Sequence, residues 1–169
     1  MNTLLQHRTR LANNPDAYEH DLVRVKGTTA PKHLKQCGFS RVTGELVNKF
    51  VEFVFETQER RPFFHVEVEG RPPFCWNAPK HWNEPYICYE WGHLRSRNQN
   101  EDAHQIENLC LQSARCNQHI QTSMNVEEVL QWLSGSRVAT RINDVLERRR
   151  ELFQSPEWKR LLADLEGFR

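Results

Sequence analysis

The segment from Tyr86 to Gln121 restricts the fold more than any other part of the chain. It begins with the aromatic, strand-like stretch YICYEW, which leads into Gly92 and His93. The polar run RSRNQNEDAHQ follows and is too hydrophilic for anything but a loop, after which ENLCLQSARCNQHIQ returns to a strand-then-helix pattern. The sequence therefore predicts, in this order, a strand, a loop, a second strand and a helix.

The N-terminal half carries signals for extended structure. A loose helix is expected in the first twenty residues, and from Asp21 to Val68 the stretches LVRV, VNKFVEFVF and HVEVEG alternate or are rich in β-branched and aromatic residues. Turn residues in KGTT and VTGE separate these stretches. We therefore expect a small antiparallel sheet, followed by a proline-rich loop that leads to Tyr86.

Helical signals dominate the last third of the chain. Asn125 followed by Glu128 has the form of a capping box, in which a side-chain acceptor and a carboxylate three residues later satisfy free backbone amides. Ser155 and Pro156 have the pattern of a further helix start, ahead of an apolar helical face. Two or three helices are therefore predicted to close the chain.

Composition is that of a globular protein without a membrane span. Of the 169 residues, 38% are hydrophobic and 27% are charged, and no apolar run is long enough to cross a bilayer. No secretory signal follows Met1, and the five cysteines cannot all pair with one another. We therefore expect a cytoplasmic protein with reduced thiols. The formal net charge of +1 neither requires nor excludes nucleic acid as a partner.

Three residues of the central segment have the side chains that phosphodiester hydrolysis needs. The reaction requires a base that activates water and a cation that stabilises negative charge on the phosphate and the leaving oxygen. In a strand-loop-helix unit, an imidazole at the end of the strand can face a metal held from the helix, while an amide side chain orients the imidazole. The order His93, Asn108 and Asn117 fits these roles.

The same residues resemble the HNH, or ββα-metal (His-Me finger), endonuclease superfamily over Tyr86 to Gln121, about a fifth of the chain. The resemblance implies that His93 is the general base, that Asn108 fixes the His93 ring, and that Asn117 binds the metal. EWGHL is also similar to the DRGH segment of non-specific nucleases in this superfamily. A single Asn ligand is likewise typical of its His-Cys box homing endonucleases.

The resemblance also implies the identity of the metal. Gly92 stands where many members have an Asp ligand, and one neutral ligand suits Mg²⁺, which keeps several waters and takes charge from the substrate phosphate. Glu90 matches the acidic residue of DRGH, which implies a role at the metal or at its bound water.

A structural zinc is not expected, because Ser113 replaces the cysteine that would pair with Cys116. An irregular zinc site of Cys88 and Cys110 with His81 or His119 is the alternative. The favoured interpretation of the two cysteines is that they are small buried hydrophobic residues.

Arginines flank the predicted centre and continue into the C-terminal helices. Arg95 and Arg115 are candidates to hold the scissile phosphate or the leaving group, and Arg97 is a candidate DNA contact. Arg137 and Arg141, near the RRR run at 148–150, are further candidate DNA-binding residues. The alternative for this helical cluster is a solvated face that pairs with neighbouring carboxylates.

Together these features predict an α+β protein in one compact domain. We expect an N-terminal β-rich portion at 1–85, with a role in DNA recognition or dimerisation, a central ββα-metal unit at 86–123 and a C-terminal helical layer at 124–169.

The expected function is that of a Mg²⁺-dependent endonuclease that acts site-specifically on double-stranded DNA, of restriction or homing type. An enzyme that reads a two-fold site is expected to be a homodimer. The alternatives are a non-specific nuclease or toxin that acts on DNA or RNA, a catalytically inactive nucleic-acid-binding module on the same fold, and an interaction protein that uses its C-terminal helices.

Overall fold

The computed structural model describes residues 3–63, 77–100 and 102–169. In this part of the chain the protein is mostly helical. Four helices precede the central segment: α1 (Thr3–Ala12), α2 (Leu22–Arg24), α3 (Ala30–Gln36) and α4 (Gly44–Thr57). A π-helical turn, Val25–Thr29, joins α2 to α3, and a 3₁₀ turn, Pro79–His81, follows later.

The central and C-terminal parts contain one hairpin and four further helices. Strand β1 (Tyr89–His93) is joined through the 3₁₀ turn Ile106–Asn108 to strand β2 (Leu109–Ser113). Helix α5 (Ala114–Cys116) continues as the π-helical turn Asn117–Gln121. The helices α6 (Val126–Trp132), α7 (Arg137–Leu152) and α8 (Pro156–Glu166) complete the structure.

The prediction of a β-rich N-terminal portion is wrong, and the stretch VNKFVEFVF shows why. It lies in α4, where Val47, Phe50, Val51 and Val54 follow the helical spacing and are buried. Phe53 and Phe55 are buried as well, so the helix is covered on more than one side and its composition imitates a buried strand. The α+β class predicted for the chain is therefore replaced by a helical fold with a small hairpin.

The stretch LVRV was predicted to be extended and KGTT to form a turn, and both are helical. They lie in α2 and in the π-helical turn that joins it to α3, where Leu22, Val25, Ala30 and Leu34 face the core. The expected strand HVEVEG, at 65–70, lies outside the described residues. In the described part of the chain, the strands form one two-stranded antiparallel sheet.

The hairpin lies between two apolar clusters. Its register places Trp91 opposite Leu111 and His93 opposite Leu109. One face packs against α4, with the Trp91 and Phe50 rings stacked at 5.7 Å. On the other face Cys110 joins a second cluster that includes residues of α6 and α7. Both faces of β2 are thus buried, which explains why the strand begins with three consecutive apolar residues, LCL.

The C-terminal helical signals are confirmed. The Glu128 carboxylate accepts a hydrogen bond from the Asn125 amide at 2.7 Å, as in a capping box. The Ser155 hydroxyl caps α8, which has Pro156 as its first residue. Among the helices of the described residues, none has both the length and the apolar composition that a membrane crossing requires.

Candidate active site

A small pocket forms where β1 ends. It has a volume of about 100 Å³ and is lined by strand residues, by the turn that follows and by the helical turn after α5. His93 and Asn117 both line it, although 24 positions separate them in the sequence. The two residues on which the nuclease hypothesis depends therefore share one pocket.

The His93 side chain lies on the face of β1 that is turned toward α3. Successive strand side chains alternate between faces, so His93 shares its face with Trp91. The Trp91 indole donates to the Thr29 hydroxyl at 3.1 Å, which ties this face to the helical layer. The ring centroids of His33 and His104 lie 6.3 Å and 5.8 Å from that of His93.

The environment of His93 keeps its imidazole neutral. Burial lowers the pKa of His93 to about 4, and the neighbouring charges of Arg97, His33 and His104 contribute in the same direction. The Nε2 atom is buried and has no hydrogen-bond partner among the described residues. The imidazole is therefore unprotonated at neutral pH, which is the state that a general base must have before it accepts a proton.

Asn117 approaches the pocket from the opposite face of the hairpin. The Ser113 hydroxyl accepts from the Cys116 amide and starts the helical segment, which places Asn117 one turn later. The Asn117 Nδ2 donates to the Glu90 carboxylate at 3.0 Å, and Gln118 donates to its other oxygen. No described residue donates to the Asn117 Oδ1.

These oxygen atoms fit a hard cation. Asn117 contacts Glu90 through its Nδ2, and the two residues supply a carbonyl oxygen and a carboxylate of the kind through which, together with several waters, Mg²⁺ is bound in proteins. Within the described ranges there is no group of three or more His, Cys, Asp and Glu side chains placed to hold a metal ion. Cys88 and Cys110 are both buried in the core.

Asn108 holds the chain that follows His93 and does not touch the His93 ring. Its Oδ1 accepts from the Arg95 amide at 2.7 Å, while its Nδ2 donates to the carbonyls of Arg95 at 3.0 Å and Ala103 at 2.8 Å. Its backbone carbonyl accepts from the Leu94 amide at 2.9 Å. Asn108 thus holds the backbone two residues beyond His93, and its role in orienting the His93 ring stays a prediction.

Gly92 makes room for the buried side-chain amides of Gln112 and Gln121. It stands where many HNH proteins have an Asp. A Cβ atom at Gly92 would lie 2.5 Å from the Nε2 of Gln112. That Nε2 donates to the Gln121 Oε1, and the Gln121 Nε2 donates to the His93 carbonyl at 2.6 Å. This chain of amides links β2, the helical segment and the end of β1.

No protein-family model, curated protein or solved structure matches this chain. Membership of the HNH superfamily therefore stays a prediction. What can be said of function follows from the geometry of the residues themselves.

The predicted arginines are spread over several places. Arg97 is exposed and lines the pocket. Arg95 pairs with Asp102 at 2.7 Å, and Arg115 is half-buried; neither lines the pocket.

The two arginines predicted on the C-terminal helices lie in α7. Arg141 donates to the carbonyls of Phe63 at 2.7 Å and Gln58 at 3.3 Å, so its guanidinium holds α7 against the end of α4. Arg137 is exposed at the start of α7. Of the five predicted arginines, Arg97 has the position that best suits contact with a substrate in the pocket.

Sequence reasoning missed four side chains around the site. His33 and His104 pack against His93, and no local pattern marks them, because His33 is 60 positions away in a region predicted to be extended. Gln112 and Gln121 lie inside the recognised segment. The sequence marks only Gln112, as a polar residue directly after the apolar LCL of β2.

Proposed function

We propose that this protein is a metal-dependent nuclease that hydrolyses phosphodiester bonds in DNA at the pocket shared by His93 and Asn117. The observation that carries the proposal is the convergence of these two residues on one pocket. A buried, neutral imidazole and a carboxamide oxygen without a donor among the described residues are the base and the cation ligand that such a reaction needs, and both residues line this pocket.

The chain's own groups have separate roles in this reaction. His93 accepts the proton of the attacking water through its unengaged ring nitrogen. Asn117 and Glu90 would hold a Mg²⁺ ion, which would stabilise negative charge on the phosphate and the leaving oxygen. Arg97 contacts a phosphate of the substrate, and Asn108 keeps the turn after His93 in place.

The proposal extends to the specificity of the enzyme and to its location in the cell. We favour a site-specific enzyme that acts on double-stranded DNA as a homodimer, since a two-fold site matches a two-fold protein. Cys37, Cys88 and Cys110 are buried and form no disulfide bond within the described residues, and burial raises the pKa of the Cys110 thiol to about 11. Protonated, unpaired thiols agree with a cytoplasmic location.

A cleavage assay tests the proposal. Supercoiled plasmid and phage DNA are incubated with the protein in Mg²⁺ or in EDTA, and the same is done with His93→Gln and Asn117→Ala. We expect cleavage in Mg²⁺ alone and a loss of at least about 100-fold in each variant, the usual contribution of a general base. Discrete bands would indicate site specificity, and a smear would indicate its absence.

The control variant is His119→Gln, because His119 is exposed in the same helical turn as Asn117 and does not line the pocket. It should cleave as the native chain does. Since the pKa of His93 is about 4, kcat/KM should fall only well below pH 6.5. DNA that stays equally intact with every protein, or cleavage that survives both site variants, rules the proposal out.

A further inference from the structure

A second, larger pocket lies on the other side of the turn that follows His93. Its volume is about 480 Å³, within the range of small-molecule sites. Leu94 and Arg95 line this pocket, whereas the next residues of the same turn line the candidate active site. Residues of α7 form much of its wall, among them Arg149 and Arg150.

Arg149 is the unusual residue of this pocket, because its guanidinium is buried and forms no ion pair with any carboxylate of the described residues. Its side chain is 4% exposed, and its Nη2 donates to the carbonyls of Glu107 at 2.7 Å and Leu109 at 2.5 Å. The guanidinium also lies 4.5 Å from the centre of the Phe153 ring. The Nη1 is buried and has no hydrogen-bond partner among the described residues.

The carboxylates that line this pocket form no ion pair with Arg149 in the described part of the chain. Glu107 and Glu127 are both exposed, and the charge of Glu107 opposes the effect of burial on the pKa of Arg149 without cancelling it. Burying a charge without a counter-charge is costly, and burial lowers the pKa of Arg149 to about 10. An anion with oxygen atoms would supply both the missing charge and the missing acceptor.

We propose that this pocket binds a small organic anion. Arg149 and Arg150 hold its phosphate or carboxylate oxygens, and its apolar part packs against Leu94, Leu146 and Phe153. A nucleic-acid backbone fits less well, because a polyanion would meet Glu107 and Glu127 and the key guanidinium is almost fully buried. The inference does not depend on nuclease activity.

Isothermal titration calorimetry and thermal unfolding with three probes test the inference on the full chain. Phenyl phosphate and benzoate each carry an anionic group on an apolar ring, and benzyl alcohol is the neutral counterpart. We expect saturable binding of one or both anions and none of the alcohol, and the stronger anion identifies the head group. Arg150→Gln should weaken binding about tenfold, and Arg149→Met should abolish it.

Two controls separate this pocket from the rest of the surface. Arg148→Gln removes a neighbouring arginine that does not line the pocket, and Arg97→Gln removes a cation of the candidate active site. Both should bind the anion as the native chain does. Failure of the native chain to bind either anion overturns the inference, as does unchanged binding in Arg150→Gln, which also decides the matter if Arg149→Met does not fold.

Discussion

At the scale of single residues, the candidate site depends on close packing of side chains as much as on reactive groups. Gly92 has no catalytic group, yet it admits the fully buried Gln112 amide, whose Nε2 would lie 2.5 Å from a Cβ at position 92. Gln112 in turn holds Gln121, which donates to the His93 carbonyl. The absence of a side chain beside the candidate base is thus a structural requirement of the site.

We predict that Gly92→Ala destabilises the protein by about 1–3 kcal/mol, because the added methyl group displaces Gln112 and breaks its hydrogen bond to Gln121. Urea denaturation of the single variants and of Gly92→Ala combined with Gln112→Ala measures the coupling. The control is Gly27→Ala, where a Cβ meets nothing within 4 Å. An additive double variant would show that the two positions do not interact.

At the scale of elements, the connection between β1 and β2 is shaped by side-chain amides. Asn108 makes hydrogen bonds to the Arg95 backbone and to the Ala103 carbonyl. Asn125, the cap of α6, accepts from the Ser96 amide at 2.7 Å. The long polar connection at 94–108 is therefore held in place by Asn108 and Asn125. Its residues line both the candidate active site and the second pocket.

Asn108→Ala should loosen this connection and lower the free energy of unfolding by about 2–4 kcal/mol, since it leaves several backbone groups without partners. Hydrogen–deuterium exchange of 94–103 is the direct measurement, and it should become faster than in the native chain. Asn98→Ala, in the same turn and exposed, is the matched control. Equal exchange in the two variants would contradict the role assigned to Asn108.

At the scale of the whole molecule, several histidines are built into the packed interior. His7 is 1% exposed, and burial lowers its pKa as it lowers those of His33 and His93. Each of them remains neutral in the folded chain at a pH where the unfolded chain binds a proton. The folded state is therefore disfavoured in weak acid.

We predict that the free energy of unfolding is steady above pH 7 and falls as the pH decreases from about 6.5 toward 4. The expected loss is about 1–3 kcal/mol, because one unit of pKa shift corresponds to about 1.4 kcal/mol and partial exposure reduces the effect. Urea denaturation at several pH values measures it. His93→Gln should reduce the dependence on pH, and His119→Gln should not; stability that rises in acid would refute the prediction.

Local patterns of the sequence determined the hairpin-to-helix order after Tyr86 and the helical C-terminal third. Alternation along a short strand and the caps at Asn125 and Ser155 act over a few neighbouring residues, so they can be recognised without the rest of the chain. The order of His93, Asn108 and Asn117 was predicted in the same way. In the structure His93 and Asn117 line one pocket, whereas Asn108 binds the backbone of the turn after β1.

Tertiary structure alone decided the N-terminal half and the surroundings of His93. A stretch such as VNKFVEFVF is apolar at both the helical and the strand spacing, and it is the packing of α4 against α7, α8 and the π-helical turn that favours the helix. His33 reaches His93 because α3 packs across β1, and Arg149 is buried because α7 packs against the start of β2, where it donates to the Leu109 carbonyl. Contacts between residues far apart in the chain depend on packing, which no local pattern encodes.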